Sequence, residues 1–163
     1  MDFKLTEEQE LLLNSLTELL QREAPESLIA ELDEKHEFPW KPWQALADNG
    51  FLGLGIGEAY GGTPADVLTQ TLVAETLGKY AFPLGVIYGL GVITIRDIEQ
   101  FGSEEQKQRV LGGICRGDPP VALGISEPQA GSDAAGLKTR AVLEGDEWVI
   151  NGQKIYCTIS NIA

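Results

Sequence analysis

Residues 124–136 read Gly-Ile-Ser-Glu-Pro-Gln-Ala-Gly-Ser-Asp-Ala-Ala-Gly, a β-prone segment that runs into a loop of glycine and proline. Hydroxyl groups stand at Ser126 and Ser132, and the backbone is unhindered around Gly131. Such a loop can offer several N–H donors to a pyrophosphate, and its hydroxyls can bond phosphate or a ring heteroatom. Spacing alone favours a simpler interpretation, a tight turn whose serine and aspartate satisfy their own backbone.

The chain before this stretch has the pattern of helices. Thr6 and Gln9 have the spacing of a capping box, and leucines at helical spacing follow, which predicts an amphipathic helix over residues 6–22 that ends before Pro25. The glycine-rich residues 51–64 predict an extended loop. Five further helices are predicted over residues 26–33, 42–49, 65–79, 83–100 and 104–111, the last with a second capping box at Ser103 and Gln106.

Beyond Asp118 the composition becomes β-prone. Turn signals occur at residues 144–146 and at Asn151-Gly152, the second being the strongest hairpin signal in the chain. We therefore predict an α+β fold, with an all-α N-terminal domain over residues 1–118 and the truncated start of an antiparallel β domain over 119–163. The predicted strands are residues 121–125, 139–143, 148–151 and 154–158.

Charge and composition exclude several classes of function. The chain has 12 Lys and Arg against 25 Asp and Glu, a net charge of -13, which would repel nucleic acid and anionic membranes. No apolar run approaches membrane-spanning length, and acidic residues 1–14 are unlike a signal peptide. Cys115, Cys157 and His36 lack the spacing of a metal site. We expect a cytoplasmic protein with no metal, no nucleic acid partner and no membrane insertion.

The stretch at 124–136 resembles the signature of the acyl-CoA dehydrogenase family: a small residue, an aliphatic, Ser or Thr, then Glu-x-x-small-Gly-Ser-Asp. It agrees at every constrained position. Three more segments resemble family motifs in the same order, so the resemblance covers essentially the whole chain. They are residues 5–9 (opening helix), 58–62 (the Pro-Glu-x-Tyr-Gly-Gly loop, with Gly57 in place of proline) and 151–158 (Asn-Gly-x-Lys-x-Trp-Ile-Thr, with Tyr156 in place of tryptophan).

The resemblance implies a bound FAD. Tyr156 would lie against the isoalloxazine ring, and the Thr158 hydroxyl would bond close to its reactive N5. Ser132 and Tyr88 would also contact substrate, although Tyr88 lies in a glycine-bearing helix for which simple helix packing is an equally good account. The implied cofactor-binding residues are Leu123, Ile125, Ser126, Gly131, Ser132, Tyr156, Cys157 and Thr158.

In the family, a carboxylate base removes the α proton of an acyl thioester and flavin N5 accepts the β hydride. That base belongs to a C-terminal helical bundle, and the motif puts Glu127 in a structural loop instead. We therefore expect a fragment without a catalytic residue, inactive alone. The full-length parent would use an acyl-CoA substrate, electron-transfer flavoprotein or another acceptor, and a homo-oligomeric assembly, dimer or tetramer.

Two alternatives stay open. The parent could be a related enoyl-CoA reductase or acyl-CoA oxidase, since these share the motifs. The chain could also be a non-catalytic helical module with a vestigial hairpin that binds a partner. Visible flavin colour distinguishes the flavoenzymes from the module.

Overall fold

The computed structural model describes residues 4–163, which form helices followed by a β-hairpin. The α+β fold predicted from the sequence is confirmed. The chain divides into two compact units, Met1–Pro120 and Val121–Ala163. Within the described residues the elements are α1 (Glu7–Glu23), α2 (Glu26–Glu34), α3 (Trp40–Asp48), α4 (Val67–Tyr80), α5 (Phe82–Phe101), α6 (Glu104–Arg116), β1 (Arg140–Glu144) and β2 (Glu147–Asn151).

Both predicted capping boxes are present. The Gln9 backbone N–H donates to Thr6 Oγ1 at 3.2 Å while the Thr6 N–H donates to Gln9 Oε1 at 3.1 Å. Ser103 and Gln106 repeat this exchange at the start of α6. The caps fix where α1 and α6 begin because they satisfy amide groups that have no partner inside the helix. Helix α6 extends past its predicted end at residue 111 and stops at left-handed Gly117, with φ of 84°.

The loop over residues 51–64 differs from the predicted extended loop. It contains two short 3₁₀ turns, Phe51–Gly53 and Glu58–Tyr60, and Ile56 is fully buried. Close packing explains why residue 62 is a glycine, since a Cβ there would collide with the carbonyl oxygen of Ile56. Apolar side chains in the loop therefore join the helical core, which also contains Leu16, Leu20, Leu46, Val73, Leu77, Leu84 and Leu111.

Glycines in α5 are explained in part by close helix packing. A Cβ on Gly85 would lie 2.6 Å from the backbone nitrogen of Gly78 on α4 and 2.7 Å from its Cα. The two helix backbones thus approach at a point where neither has a side chain. Gly89 and Gly91, further along α5, face open space.

Substitution at Gly85 should therefore cost stability while substitution at Gly89 should not. We expect Gly85→Ala to lower the free energy of unfolding by about 1–3 kcal/mol, because α4 and α5 must separate. Gly89→Ala, the matched control in the same helix, should raise it by about 0.5–1 kcal/mol through the higher helix propensity of alanine. Urea unfolding of both variants is the measurement, and equal effects at the two sites would contradict this packing.

In the second unit, β1 and β2 pair antiparallel from Arg140 opposite Asn151 to Glu144 opposite Glu147. The predicted turn at residues 144–146 joins them, with Gly145 left-handed at φ of 64°. Two of the four predicted strands, 139–143 and 148–151, therefore occur: the first is shifted by one residue and the second begins one residue earlier.

The other two predicted strands are wrong. Residues 121–125 pair with no strand among those that the structure describes. Residues 154–158 are not extended, because Tyr156 has φ of 56°, in the left-handed region. One backbone bond, from the Ile155 N–H to the Ser126 oxygen at 2.9 Å, replaces a ladder between them.

Asn151-Gly152 was also wrongly predicted as a hairpin turn. Asn151 is the last residue of β2, and no strand follows it in the described part of the chain. The Thr139 side chain occupies the space that a Cβ on Gly152 would need. The glycine is thus required for close approach of a neighbouring side chain, a reason that its sequence neighbours do not reveal.

Candidate functional site

The centre of the second unit is the carboxylate of Glu127, only 3% exposed. Its Oε2 accepts hydrogen bonds from the backbone N–H of Lys138 at 2.7 Å and from Gln129 Nε2 at 2.6 Å. Its Oε1 accepts from the backbone N–H of Thr139 at 3.0 Å and from Lys154 Nζ at 2.9 Å. Both carboxylate oxygens are therefore fully engaged, as a buried charge requires.

A tight turn directs this carboxylate inward. The Glu127 N–H donates to the Ala130 oxygen at 2.9 Å, and the Ala130 N–H returns a bond to the Glu127 oxygen at 3.0 Å. The turn favoured by spacing alone is thus present. The hydroxyls of Ser126 and Ser132, however, make no hydrogen bond within residues 4–163, so they do not satisfy the local backbone.

The surroundings of Glu127 favour its ionised form. The Thr139 hydroxyl beside the carboxylate, the backbone N–H of Lys138 and the Lys154 ammonium hold the pKa of Glu127 well below its usual range, against the opposing effect of burial. Within the residues that the structure describes, Thr139 Oγ1 completes no hydrogen bond of good geometry, so the two backbone amides and the ammonium carry most of this effect. A carboxylate with so low a pKa is a weak base, which agrees with the prediction that Glu127 is structural.

Acid should therefore destabilise the second unit through Glu127. A lowered folded pKa adds stability above the unfolded pKa of about 4.3, and that stability is lost as pH falls toward the folded value. We expect the melting temperature of the unsubstituted protein to fall more steeply than that of the Glu127→Gln variant as the pH is lowered from about 5 to about 3. Glu144→Gln, on exposed β1, should keep the parental slope. Parallel slopes for the parent and Glu127→Gln would contradict this role.

Lys154 joins two segments of the second unit. Its Nζ donates to the Ile125 carbonyl oxygen at 2.9 Å as well as to Glu127. The backbone bond from Ile155 to Ser126 lies alongside. Residues 125–127 are therefore fixed to residues 154–155 by three contacts.

Of the predicted cofactor-binding residues, Ile125 and Ser126 lie in the first of these segments. The segment Tyr156–Thr158 directly follows the second. Tyr156 is 89% exposed and Ile125 is 50% exposed, so both present large apolar groups outward. Thr158 is an exposed residue, and its hydroxyl makes no hydrogen bond among the described residues. Exposed aromatic area beside unengaged hydroxyls fits a ring-bearing ligand with polar edges.

The remaining predicted residues occupy different environments. Gly131 and Ser132 are exposed beyond the turn, with open space beside Gly131, while Leu123 is half-buried. Cys157 is half-buried, and its thiol packs against Gly124, where it would lie 3.2 Å from an added Cβ. All of these lie within the second unit.

Tyr88 lies in the helical unit, on α5. It is 5% exposed, and its hydroxyl has no hydrogen-bond partner among residues 4–163. Burial raises the pKa of Tyr88. An unpaired buried hydroxyl costs free energy, which is consistent with a position that a ligand completes.

Lys154 was missed as a site residue by sequence reasoning. Glu127 was assigned to a structural loop without its partner. The signal was present, because each residue occupies a fixed position in one of two motifs and the two carry opposite charges. What the sequence could not show is that the chain between the motifs folds back to bring them together.

No described helix combines the length and the apolar character needed to cross a membrane. Over the same residues, no group of three or more His, Cys, Asp or Glu side chains could hold a metal ion. Cys115 and Cys157 are both free thiols.

Two family profiles match the chain, one after the other. The profile of the acyl-CoA dehydrogenase N-terminal domain matches residues 6–118, and that of the acyl-CoA dehydrogenase middle domain matches residues 122–163. The chain belongs to the acyl-CoA dehydrogenase family. The resemblance inferred from the sequence motifs is thereby confirmed for both parts of the chain.

Individual members of the acyl-CoA dehydrogenase family show the same relationship. A short-chain-specific acyl-CoA dehydrogenase of Clostridium acetobutylicum is 38% identical over 164 residues, covering 100% of this chain and 43% of that protein. An NADH-dependent acryloyl-CoA reductase of Anaerotignum propionicum is 33% identical, covering 96% of this chain and 40% of that protein. This chain thus spans less than half the length of these relatives.

A solved structure supports the fold. The acyl-CoA dehydrogenase of Bacillus anthracis, complexed with FAD, superposes with a TM-score of 0.87 at 30% identity, over 98% of this chain and 28% of that one. The arrangement of helices followed by a β-hairpin therefore matches the corresponding part of an acyl-CoA dehydrogenase.

Proposed function

We propose that this chain is part of an FAD-dependent acyl-CoA dehydrogenase that removes the α and β hydrogens of an acyl-CoA thioester. The observation that carries the proposal is the pair of segments, 124–132 and 154–158, which present exposed Tyr156 beside unengaged hydroxyl groups. Family membership supports it, as does the FAD bound by the Bacillus anthracis relative.

In this proposal each of the predicted cofactor-binding residues has a stated role. Ser126 and Ser132 donate hydroxyl hydrogen bonds to the flavin and its pyrophosphate, while Tyr156 packs against the ring face. Thr158 donates a hydrogen bond near N5. The bound flavin supplies the hydride acceptor, and the protein tunes it by such contacts. Leu123, Ile125, Gly131 and Cys157 shape the adjoining surface.

Two residues, each considered within its own unit, are proposed to contact substrate. Tyr88 contributes to the wall of the acyl pocket, a role supported by its buried hydroxyl, which has no partner in the described part of the chain. Ser132 contacts substrate as well as cofactor. The substrate is an acyl-CoA, the acceptor is electron-transfer flavoprotein or an equivalent, and the protein acts in the cytoplasm as a homo-oligomer. The domain boundary is proposed at residue 118.

A second candidate is an enoyl-CoA reductase, which runs the chemistry in the opposite direction. The observation that favours it is the 33% identity to the acryloyl-CoA reductase. Oxidation of NADH in the presence of an enoyl-CoA distinguishes the two, because a dehydrogenase uses the acyl-CoA as reductant instead.

Flavin titration tests the proposal. The complete polypeptide that carries this sequence, stripped of cofactor, should regain yellow colour and bind FAD with one-to-one stoichiometry. FMN is the control, since it lacks the second phosphate and the adenosine that FAD contacts require. Failure to bind FAD would overturn the proposal and leave the non-catalytic module as the better account.

A further inference from the structure

The segments 124–132 and 154–158 are 22 residues or more apart in sequence. They must keep a fixed separation in space if both are to contact one rigid flavin ring. In the described residues, their connection depends on few bonds. Ile155 donates one backbone bond to Ser126, and the other two bonds come from Lys154 Nζ. A change in Lys154 would therefore release most of the connection.

We propose that Lys154 is a positioning residue, which with Glu127 sets the separation between Ser126 and the Tyr156–Thr158 segment. The inference rests on the proposed function, since its consequence is read at the flavin. Lys154 itself contacts neither cofactor nor substrate in this account. It acts through the backbone on either side of Ser126.

The geometry favours this role over a simple surface ion pair. The acceptors of Lys154 Nζ are the Ile125 carbonyl and the Glu127 carboxylate, the residues immediately before and after Ser126. Ser126 is thus bracketed by the two bonds. The Glu127 side chain is 2% exposed and that of Lys154 is 29% exposed, so solvent screens the pair far less than an exposed one.

Charge complementarity also supports it. The other donors to Glu127, two backbone amides and the Gln129 amide, are uncharged. Lys154 is therefore the only cation that reaches this carboxylate in residues 4–163. Without it the carboxylate keeps its charge but loses both its counterion and its link to the second segment.

The first test needs no flavin. In the cofactor-free complete polypeptide, Lys154→Met should speed hydrogen exchange of the Ile155 amide at least about tenfold, because the bond to Ser126 then stands alone. Arg140→Met is the matched control: Arg140 is exposed in the same unit and makes no ion pair in the described residues. It should leave Ile155 exchange at the parental rate. Parental exchange in Lys154→Met would overturn the inference.

The second test measures the affinity for FAD and the visible spectrum of the bound flavin. Lys154→Met should weaken FAD binding about tenfold, by analogy with the loss caused by removing groups that orient metal ligands, and should alter the visible circular dichroism of bound FAD. A role in stability alone would lower the melting temperature and leave this spectrum unchanged. Arg140→Met should change neither affinity nor spectrum.

Glu127→Gln provides a second variant should Lys154→Met fail to fold. It keeps the side-chain volume, removes the charge and replaces one accepting oxygen by an amide nitrogen that cannot accept the same hydrogen bonds. It should shift the flavin spectrum in the same direction. Parental affinity and spectrum in whichever of these variants fold would overturn this inference alone. Absence of FAD binding by the unchanged polypeptide would overturn the proposed function, while altered Ile155 exchange would still support the positioning role.

Discussion

No acyl-CoA thioester should be oxidised by the 163-residue chain alone, whatever its acyl length. The chain spans 43% of its Clostridium acetobutylicum relative, and the family resemblance assigns the base to a helical bundle beyond it. Glu127, the buried carboxylate of the second unit, cannot substitute, because both its oxygens accept hydrogen bonds and its pKa is lowered. Without a base the α proton stays in place, and turnover should be absent rather than reduced.

The measurement is reduction of an artificial electron acceptor by purified chain, with short- and long-chain acyl-CoA supplied separately. The complete polypeptide, prepared in parallel, is the positive control. Turnover by the chain, in protein shown by mass to be free of longer enzyme, would contradict the prediction. It would require a base within these 163 residues.

Thr158→Val should slow reduction of bound FAD more than it weakens FAD binding. The proposed bond from the Thr158 hydroxyl to the flavin near N5 strengthens as negative charge is drawn onto the ring. Its loss should raise the barrier by about 1–3 kcal/mol, roughly 5- to 150-fold in rate. Affinity should change less, because contacts to the adenine, ribitol and pyrophosphate remain.

Stopped-flow reduction of the complete polypeptide, beside an FAD titration, separates the two effects. Ser160→Ala is the matched control, since it removes an exposed hydroxyl from the same turn. It should leave both quantities unchanged. A parental reduction rate combined with collapsed FAD affinity would make Thr158 a packing residue and remove the 154–158 segment from the flavin ring.

The helical unit was predictable because its signals are local. Capping boxes at Thr6 and Ser103 and the helical spacing of leucines depend only on neighbours within a few residues. All six predicted helices are present, and their ends agree to within two residues except at the C-terminal end of α6, which lies five residues later than predicted. The loop over 51–64 was less predictable, because its burial depends on helices distant in sequence.

Strands in the second unit were predictable only where a local turn joins them. The Gly145 turn places β1 beside β2, so both were found. Residues 121–125 and 154–158 have strand composition, but composition cannot supply a partner strand or reveal the left-handed Tyr156. β-propensity reflects how well a side chain packs on a pleated, half-buried surface more than a preference of its own backbone. Because these two segments have no partner strand in the described residues, their β-prone composition did not make them strands.

The candidate site was accessible from sequence only through its motifs. Residue types around Ser126 and Thr158 indicate hydrogen bonding to a ring or a phosphate. The family resemblance indicates that the ligand is FAD. The bond from Lys154 to Glu127 connects residues 27 positions apart, and no local pattern predicts such a contact. Its role therefore emerged from the fold.

The central claim is that this chain contributes to a flavin site reduced by acyl-CoA. The most direct measurement is the visible absorbance of the FAD-loaded complete polypeptide after anaerobic addition of acyl-CoA. We predict that the absorbance of oxidised flavin is lost with at least one acyl-CoA and returns when an electron acceptor is added. Unchanged absorbance with acyl-CoA of every chain length would contradict the account.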